Sequence, residues 1–195
     1  MIHGIINVYK EKGFTSHDVV AKLRGIVGQK KIGHTGTLDP DATGVLPVCL
    51  GKATKLCDLL TDKNKTYEAV LLLGKTTDTQ DITGEVLEEK STEALTEEKV
   101  REAIEGFIGD YEQIPPMYSA LKVNGKKLYE LAREGKVVER KARPVKILDI
   151  RIIEMDLPRV RMEVSCSKGT YIRTLCHDIG EQLGCGGCME SLIRT

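Results

Sequence analysis

Apolar positions along this chain switch between two periods, and the switches mark its elements. Gly4 to Tyr9 reads as a strand with Ile6 and Val8 on one face. Lys10-Glu11-Lys12-Gly13 breaks it. Thr15 and Ser16 are good helix caps, with Asp18 in the first turn, where the helix dipole favours an acid. Val19, Val20, Leu23, Ile26 and Val27 then recur at helical spacing up to Gly28. Val45 to Leu50 is short and apolar enough for a buried strand. Ala53 to Leu60 reads as a short helix with Leu56, Leu59 and Leu60 inward. Lys65 to Leu73 is a second strong strand, and its apolar end predicts a central place in a sheet.

Further on, Gly74 to Asp81 is a polar turn and Glu85 to Leu87 a short strand. Thr96 caps a helix with Val100, Ala103, Ile104 and Phe107 on one side. Asn124-Gly125 is a tight-hairpin signal, followed by a short helix through Leu128, Leu131 and Ala132 to Gly135. Val145 to Ile153 and Val160 to Cys166 alternate and are joined by Asp156-Leu157-Pro158, an antiparallel pair. Thr170 to Leu175 opens a helix with Ile172, Leu175 and Ile179 inward. Arg173 sits next to a buried position, and a buried arginine calls for a carboxylate partner.

This pattern predicts an α/β (α+β) chain on a mixed, largely antiparallel central sheet, with flanking helices and a hairpin arm. At 195 residues it is long enough to bury a core as one domain. No apolar run approaches the roughly 20 residues of a bilayer span. Six cysteines lie mostly inside apolar segments and read as reduced, buried thiols of a cytosolic protein. Cys185-Gly186-Gly187-Cys188 lacks the second ligand pair that a structural zinc needs.

Formal charge is zero, so charge informs only locally. Residues 78 to 112 hold twelve acids and three bases, a solvated face turned away from any polyanion. Residues 122 to 146 reverse this with nine bases and three acids, interleaved with Tyr129 and preceded by Tyr118. A basic hairpin with aromatic side chains suits nucleic acid as well as it suits solvent.

Between the first helix and Leu56 runs KIGHTGTLDPDATGVLPVCLGKATKL, with Asp39 amid Gly33, Gly36 and Gly44. The glycines allow close approach of another backbone, so the loop can cradle a polyanion, and it lacks the Gly-Lys-Ser/Thr of a P-loop. Gly33-His34-Thr35-Gly36-Thr37-Leu38-Asp39-Pro40, Ala42-Thr43-Gly44, Leu46-Pro47 and Gly51 to Lys55 resemble the bacterial TruB-type tRNA pseudouridine synthases. Lys65-Thr66-Tyr67, Pro115 to Ala120 with Lys122, and Lys168 to Leu175 follow in the family's order, so the resemblance covers essentially the whole chain.

That resemblance implies an isomerase, which flips the T-loop uridine (uridine-55) of tRNA out of its stack and converts it to pseudouridine. Asp39 matches the catalytic aspartate, Arg173 the arginine that holds it ionised, and Tyr67 the tyrosine stacking on the base. His34 resembles the histidine that enters the space left by the base, Leu192 an apolar residue of the uracil pocket. Gly36, Thr37, Lys10, Tyr118, Lys122, Lys126, Lys127 and Arg143 are further RNA-contact candidates, and residues 118–146 resemble the insertion closing over the tRNA arm. The resemblance implies no cofactor or metal, no membrane, a cytoplasmic monomer without an obligate protein partner, and tRNA as the partner.

Two departures stand out. Lys10-Glu11 replaces the usual Lys-Pro, and Arg194-Thr195 falls inside a motif that normally continues into one more strand, commonly followed by a small RNA-binding domain. The expectation is therefore a catalytic domain over 1–195 with that domain absent. Two other readings stay open: an RNA-binding module without turnover, and an unrelated α/β domain in which Asp39 only forms a turn.

Overall fold

A computed structural model describes residues 1–195. Two compact units divide the chain: Met1–Glu68 with Ser191–Thr195, and Ala69–Glu190.

The first unit holds strands β1 (Gly4–Lys10), β2 (Ile32–His34) and β3 (Thr43–Leu50), helices α1 (Ser16–Val27) and α2 (Cys57–Thr61), and a 3-10 helix over Gly51–Leu56. β1 and β2 both pair antiparallel with β3. The far end of β12 (Gly187–Arg194) pairs parallel with β3, Ile193 opposite Thr43 and Arg194 opposite Gly44. The helix signal at Thr15 is realised as a capping box: the Asp18 amide donates to the Thr15 hydroxyl, and the Thr15 amide donates to the Asp18 carboxylate. Gly28 ends α1 in the left-handed region, at φ 62°. Val19 and Val20 pack with Ile32, Leu46, Val48 and Leu50, and each such burial contributes roughly 1.5–3 kcal/mol.

Lys65–Leu73, the strand read from sequence, is β4. In the second unit the sheet order is β12-β4-β11-β10-β7, where β7 is Gly109–Gln113, β10 Arg143–Asp156 and β11 Arg159–Cys166. β4 has a neighbour on each side, as its apolar end requires. The antiparallel pair β10–β11 is the one expected around Leu157-Pro158. Small hairpins β5 (Lys75–Thr77) with β6 (Val86–Glu89), and β8 (Lys122–Val123) with β9 (Lys126–Lys127), complete the strands. Helices α3 (Glu97–Glu105), α4 (Leu128–Arg133) and α5 (Ile172–Gln182) complete this unit. Asn124 and Gly125 both take positive φ, 51° and 83°, the geometry the hairpin turn demands.

The sheet is thus mixed and largely antiparallel. No helix is long and apolar enough to cross a membrane. All six cysteines are free thiols, five of them buried.

Three apolar assignments fail. Leu56 and Leu59 are 42% and 59% exposed, because the segment starts as a 3-10 helix and its residues fall out of α-helical phase. Ile26 is 71% exposed although its spacing suits the α1 face.

Candidate active site

Two groups of candidate residues emerge, one in each unit.

In the first unit, Asp39 is half-buried on the loop between β2 and β3. The loop is tied at almost every residue. Leu38 donates its amide to the Ser16 hydroxyl at 3.0 Å, and that hydroxyl returns a bond to the Leu38 carbonyl. The Ala42 amide donates to the Asp39 carbonyl, and the Gly13 amide to the Pro40 carbonyl. From the other side, Arg194 donates Nε to the Val45 carbonyl at 2.8 Å and NH2 to the Gly36 carbonyl. Gly36, at φ +96°, lies against the Arg194 and Lys65 side chains. Gly44 admits no side chain: a Cβ there would stand 2.1 Å from the Arg194 carbonyl oxygen. Sequence reading passed over Arg194. It is 4% exposed, and the contacts that reveal it span some 150 residues.

Lys10, read above as an RNA contact, has another place. It is fully buried, and its ammonium donates to the carbonyls of Phe14 (2.6 Å), Glu11 (3.2 Å) and Pro40 (3.2 Å). Burial lowers its proton affinity, while the negative charges of Asp39 and Asp41 pull it back up. Lys10 is thus an internal strut of the Asp39-Pro40 turn and an electrostatic neighbour of Asp39.

His34 packs edge-on against His17, ring centroids 5.3 Å apart, and its Nδ1 is buried without a hydrogen-bond partner. Burial first, then the charges of His17 and Arg194, pulls its pKa below the ordinary 6.5; the Gly36 backbone opposes this. The unfolded chain therefore takes up the proton first, and the stability held above pH 6.5 is lost as pH falls through the folded-state value. Replacing His34 with Asn is expected to flatten that acid limb in urea-melt midpoints between pH 7 and 5; an unchanged limb contradicts it. Thr37 is exposed, and Tyr67 on β4 and Leu192 on β12 are 8% and 9% exposed.

In the second unit, Arg173 is 5% exposed in the first turn of α5. Its guanidinium donates to the Thr79 carbonyl at 3.1 Å and the Tyr118 carbonyl at 3.0 Å. The same turn is held by Thr174, whose hydroxyl donates to the Gln80 side-chain carbonyl. Gln113 clamps Tyr171 from both sides: its Nε2 donates to the Tyr171 carbonyl, and the Tyr171 amide donates to its Oε1. One turn further along α5, Tyr111 donates its hydroxyl to the Asp178 carboxylate. Burial raises the proton affinity of Asp178, and the Tyr111 hydrogen bond opposes that.

Gln113 is 2% exposed, so Gln113→Leu removes its acceptor from the Tyr171 amide and one of two amide donors from the Tyr171 carbonyl, which keeps the Leu175 amide. The expected loss is about 2 kcal/mol in urea unfolding, with faster exchange of the Tyr171 amide. Unchanged stability and exchange speak against the clamp.

Of the arm residues, Lys122, Lys126 and Arg143 are exposed and Lys127 and Tyr118 half-buried. Tyr118 donates its hydroxyl to Asp78 at 3.4 Å. Tyr129 carries Lys127 at 5.4 Å and Arg133 at 5.2 Å from its ring centre. The arm has an apolar centre of its own, Met117, Leu128 and Leu131.

The carboxylate of Asp39 can act as a nucleophile or a base on a substrate that reaches this loop. Comparison with known proteins bears on which substrate. Residues 24–172 match the family model described as TruB family pseudouridylate synthase, N-terminal domain, and residues 173–195 match the tRNA pseudouridylate synthase B C-terminal domain. The chain is 68% identical to the tRNA pseudouridine synthase B of Lachnoclostridium phytofermentans, covering 100% of this chain and 66% of the relative. It is 56% identical to that of Clostridium novyi, covering 100% and 67%. Among solved structures, it is similar to a chain of a Cbf5-Nop10-Gar1 complex, with 35% identity and TM-score 0.77 over 99% of this chain and 48% of that one. A chain of an H/ACA RNP bound to a substrate RNA containing 2'-deoxyuridine matches with 32% identity and TM-score 0.73, over 99% and 47%. The chain spans about two thirds of the length of these curated relatives.

Proposed function

The chain belongs to the TruB family of pseudouridylate synthases, and from that premise we propose that it isomerises the T-loop uridine (uridine-55) of tRNA to pseudouridine. One observation carries the reading: a half-buried carboxylate, Asp39, on a loop fixed by Ser16, Lys10 and Arg194, within the family's own motif.

The reaction breaks the N-glycosidic bond, turns the uracil, and joins its C5 to the same sugar carbon. Asp39 either attacks that carbon or removes a sugar proton to give a glycal. Either route needs an ionised carboxylate held still while the substrate moves, and the tethered loop supplies that preorganisation. Arg173 takes the orienting role and Tyr67 the base-stacking role that the family resemblance implies. The base must leave its stack for any of this, so aromatic and apolar side chains are needed to receive it. His34, Gly36, Thr37 and Leu192 contact the flipped nucleotide. Tyr118, Lys122, Lys126, Lys127 and Arg143 meet the T-arm backbone. The protein acts in the cytoplasm as a monomer, without an obligate partner protein, metal or cofactor.

Nucleoside analysis of a T-arm stem-loop after single-turnover incubation tests the substrate. Pseudouridine at the T-loop target, and none in a stem-loop of scrambled loop sequence, is expected. Binding without product favours the RNA-binding module instead.

A further inference from the structure

Four buried side-chain polar atoms lack a hydrogen-bond partner, and two of them lie in or against one short segment. That segment is Pro115–Ser119. The Ser119 hydroxyl is one of the two. The other is Nε of Arg140, whose NH1 donates to the Pro115 carbonyl at 3.2 Å. The segment's own backbone is largely committed. Ser119 donates its amide to the Met117 carbonyl and accepts from the Tyr129 amide, and the Tyr118 carbonyl accepts from Arg173. What remains unpaired is donor capacity.

Arg140 is the charged member. It is half-buried, between α4 and β10, and no carboxylate pairs with it. The arm's acids are engaged elsewhere or point to solvent. Glu134 is held by Lys136 at 2.7 Å and Lys126 at 3.7 Å, Glu130 accepts from the Lys127 amide, and Glu139 is exposed. Burial lowers the Arg140 proton affinity, and no neighbouring charge offsets it. Removing a guanidinium from water without a counter-charge is costly, and a protein that keeps one there gains when an anion arrives. The planar fork of arginine fits a phosphate oxygen pair better than lysine does. Around it Lys136, Lys141 and Arg143 are exposed, so the local field favours a polyanion.

We infer that Arg140 is a phosphate-binding residue, held on the Pro115 carbonyl so that its remaining donors take one phosphodiester of the substrate RNA. This rests on the function proposed above and adds a contact that the exposed lysines of the arm do not supply. Arg140 binds and positions; it takes no part in the bond rearrangement.

The test is the salt dependence of T-arm stem-loop binding by the whole chain, with pseudouridine formation followed in the same preparations. Each phosphate neutralised adds roughly 0.7–0.9 to the slope of log affinity against log salt. Arg140→Ala is expected to weaken binding about tenfold and to lower the slope by about one. Arg140→Lys is expected to keep the slope but recover only part of the affinity, since the charge remains and the fork is lost. If Arg140 merely braces Pro115, Arg140→Ala lowers the melting temperature and leaves the slope of the folded protein unchanged, which overturns the inference. A wild-type protein that forms product while Arg140→Ala binds with an unchanged slope overturns this inference alone. A wild-type protein that neither binds nor converts the stem-loop overturns both.

Discussion

Asp39→Asn is expected to abolish pseudouridine formation, by a factor on the order of 10⁴ or more in the single-turnover rate, while RNA affinity stays within about threefold. The substitution is nearly isosteric. It leaves the Ala42 amide on the residue 39 carbonyl and leaves the Ser16 bonds to Leu38 in place, so the loop keeps its shape. What disappears is the negative charge. An amide neither attacks a sugar carbon nor takes a proton from one at neutral pH, so both chemical routes close together. RNA binding is spared for an electrostatic reason: one fewer negative charge beside a polyanion does not weaken the complex. A variant with wild-type product formation would return Asp39 to the rank of a turn former.

Lys10→Met should produce the second-largest effect, and it separates support of the loop from chemistry on it. The ammonium is fully buried and joins three carbonyls, those of Phe14, Glu11 and Pro40. Methionine fills the same volume and leaves these acceptors short of a donor, although Pro40 retains the Gly13 amide. Removing a desolvated charge offsets part of the loss. The net expectation is a destabilisation of about 3 kcal/mol in urea unfolding, from charge-assisted bonds of roughly 1.5–3 kcal/mol each against the relieved desolvation. The Asp39-Pro40 turn also loses its strut and Asp39 its nearby cation, so the single-turnover rate should fall about 10- to 100-fold. This loss is smaller than for Asp39→Asn, because the carboxylate remains. Unchanged stability would show that the three carbonyls find other donors, and an unchanged rate that the turn does not depend on the strut.

Lys10 also shows where sequence reading stops. A lysine at the end of a strand, next to Glu11 and Lys12, reads as surface, and nothing local shows that the Phe14 and Pro40 carbonyls converge on it. Arg194 escapes for the same reason, since its acceptors Val45 and Gly36 lie at the other end of the chain. Strand β12 was missed because Gly187-Cys188-Met189-Glu190-Ser191 has neither a run of β-branched residues nor clear alternation; parallel pairing with β3 makes it a strand. Strand β7, Gly109–Gln113, is polar and forms against Arg143 to Ile147. Local chemistry, in contrast, was readable: the Thr15–Asp18 capping box, the Asn124-Gly125 turn, the Thr96 cap and the full extent of β4.

The loop itself was legible as a motif and not as a structure. Its glycines read as room for RNA. Gly44 has a different constraint, the Arg194 backbone pressed against the place of a Cβ, and Gly36 lies over the side chains of Arg194 and Lys65. Arg194 is therefore part of the support for the loop that carries Asp39.

The most direct test follows release of tritium from a T-arm stem-loop carrying 5-tritiated uridine at the target, under single-turnover conditions, for the wild-type chain and Asp39→Asn side by side. Bonding C5 to the sugar carbon displaces the hydrogen of C5, so the label reports the rearrangement itself. Release by the wild type, and none by Asp39→Asn at matched RNA occupancy, is the predicted result. Equal release by both proteins, or none by a wild type that binds the stem-loop, would contradict the account.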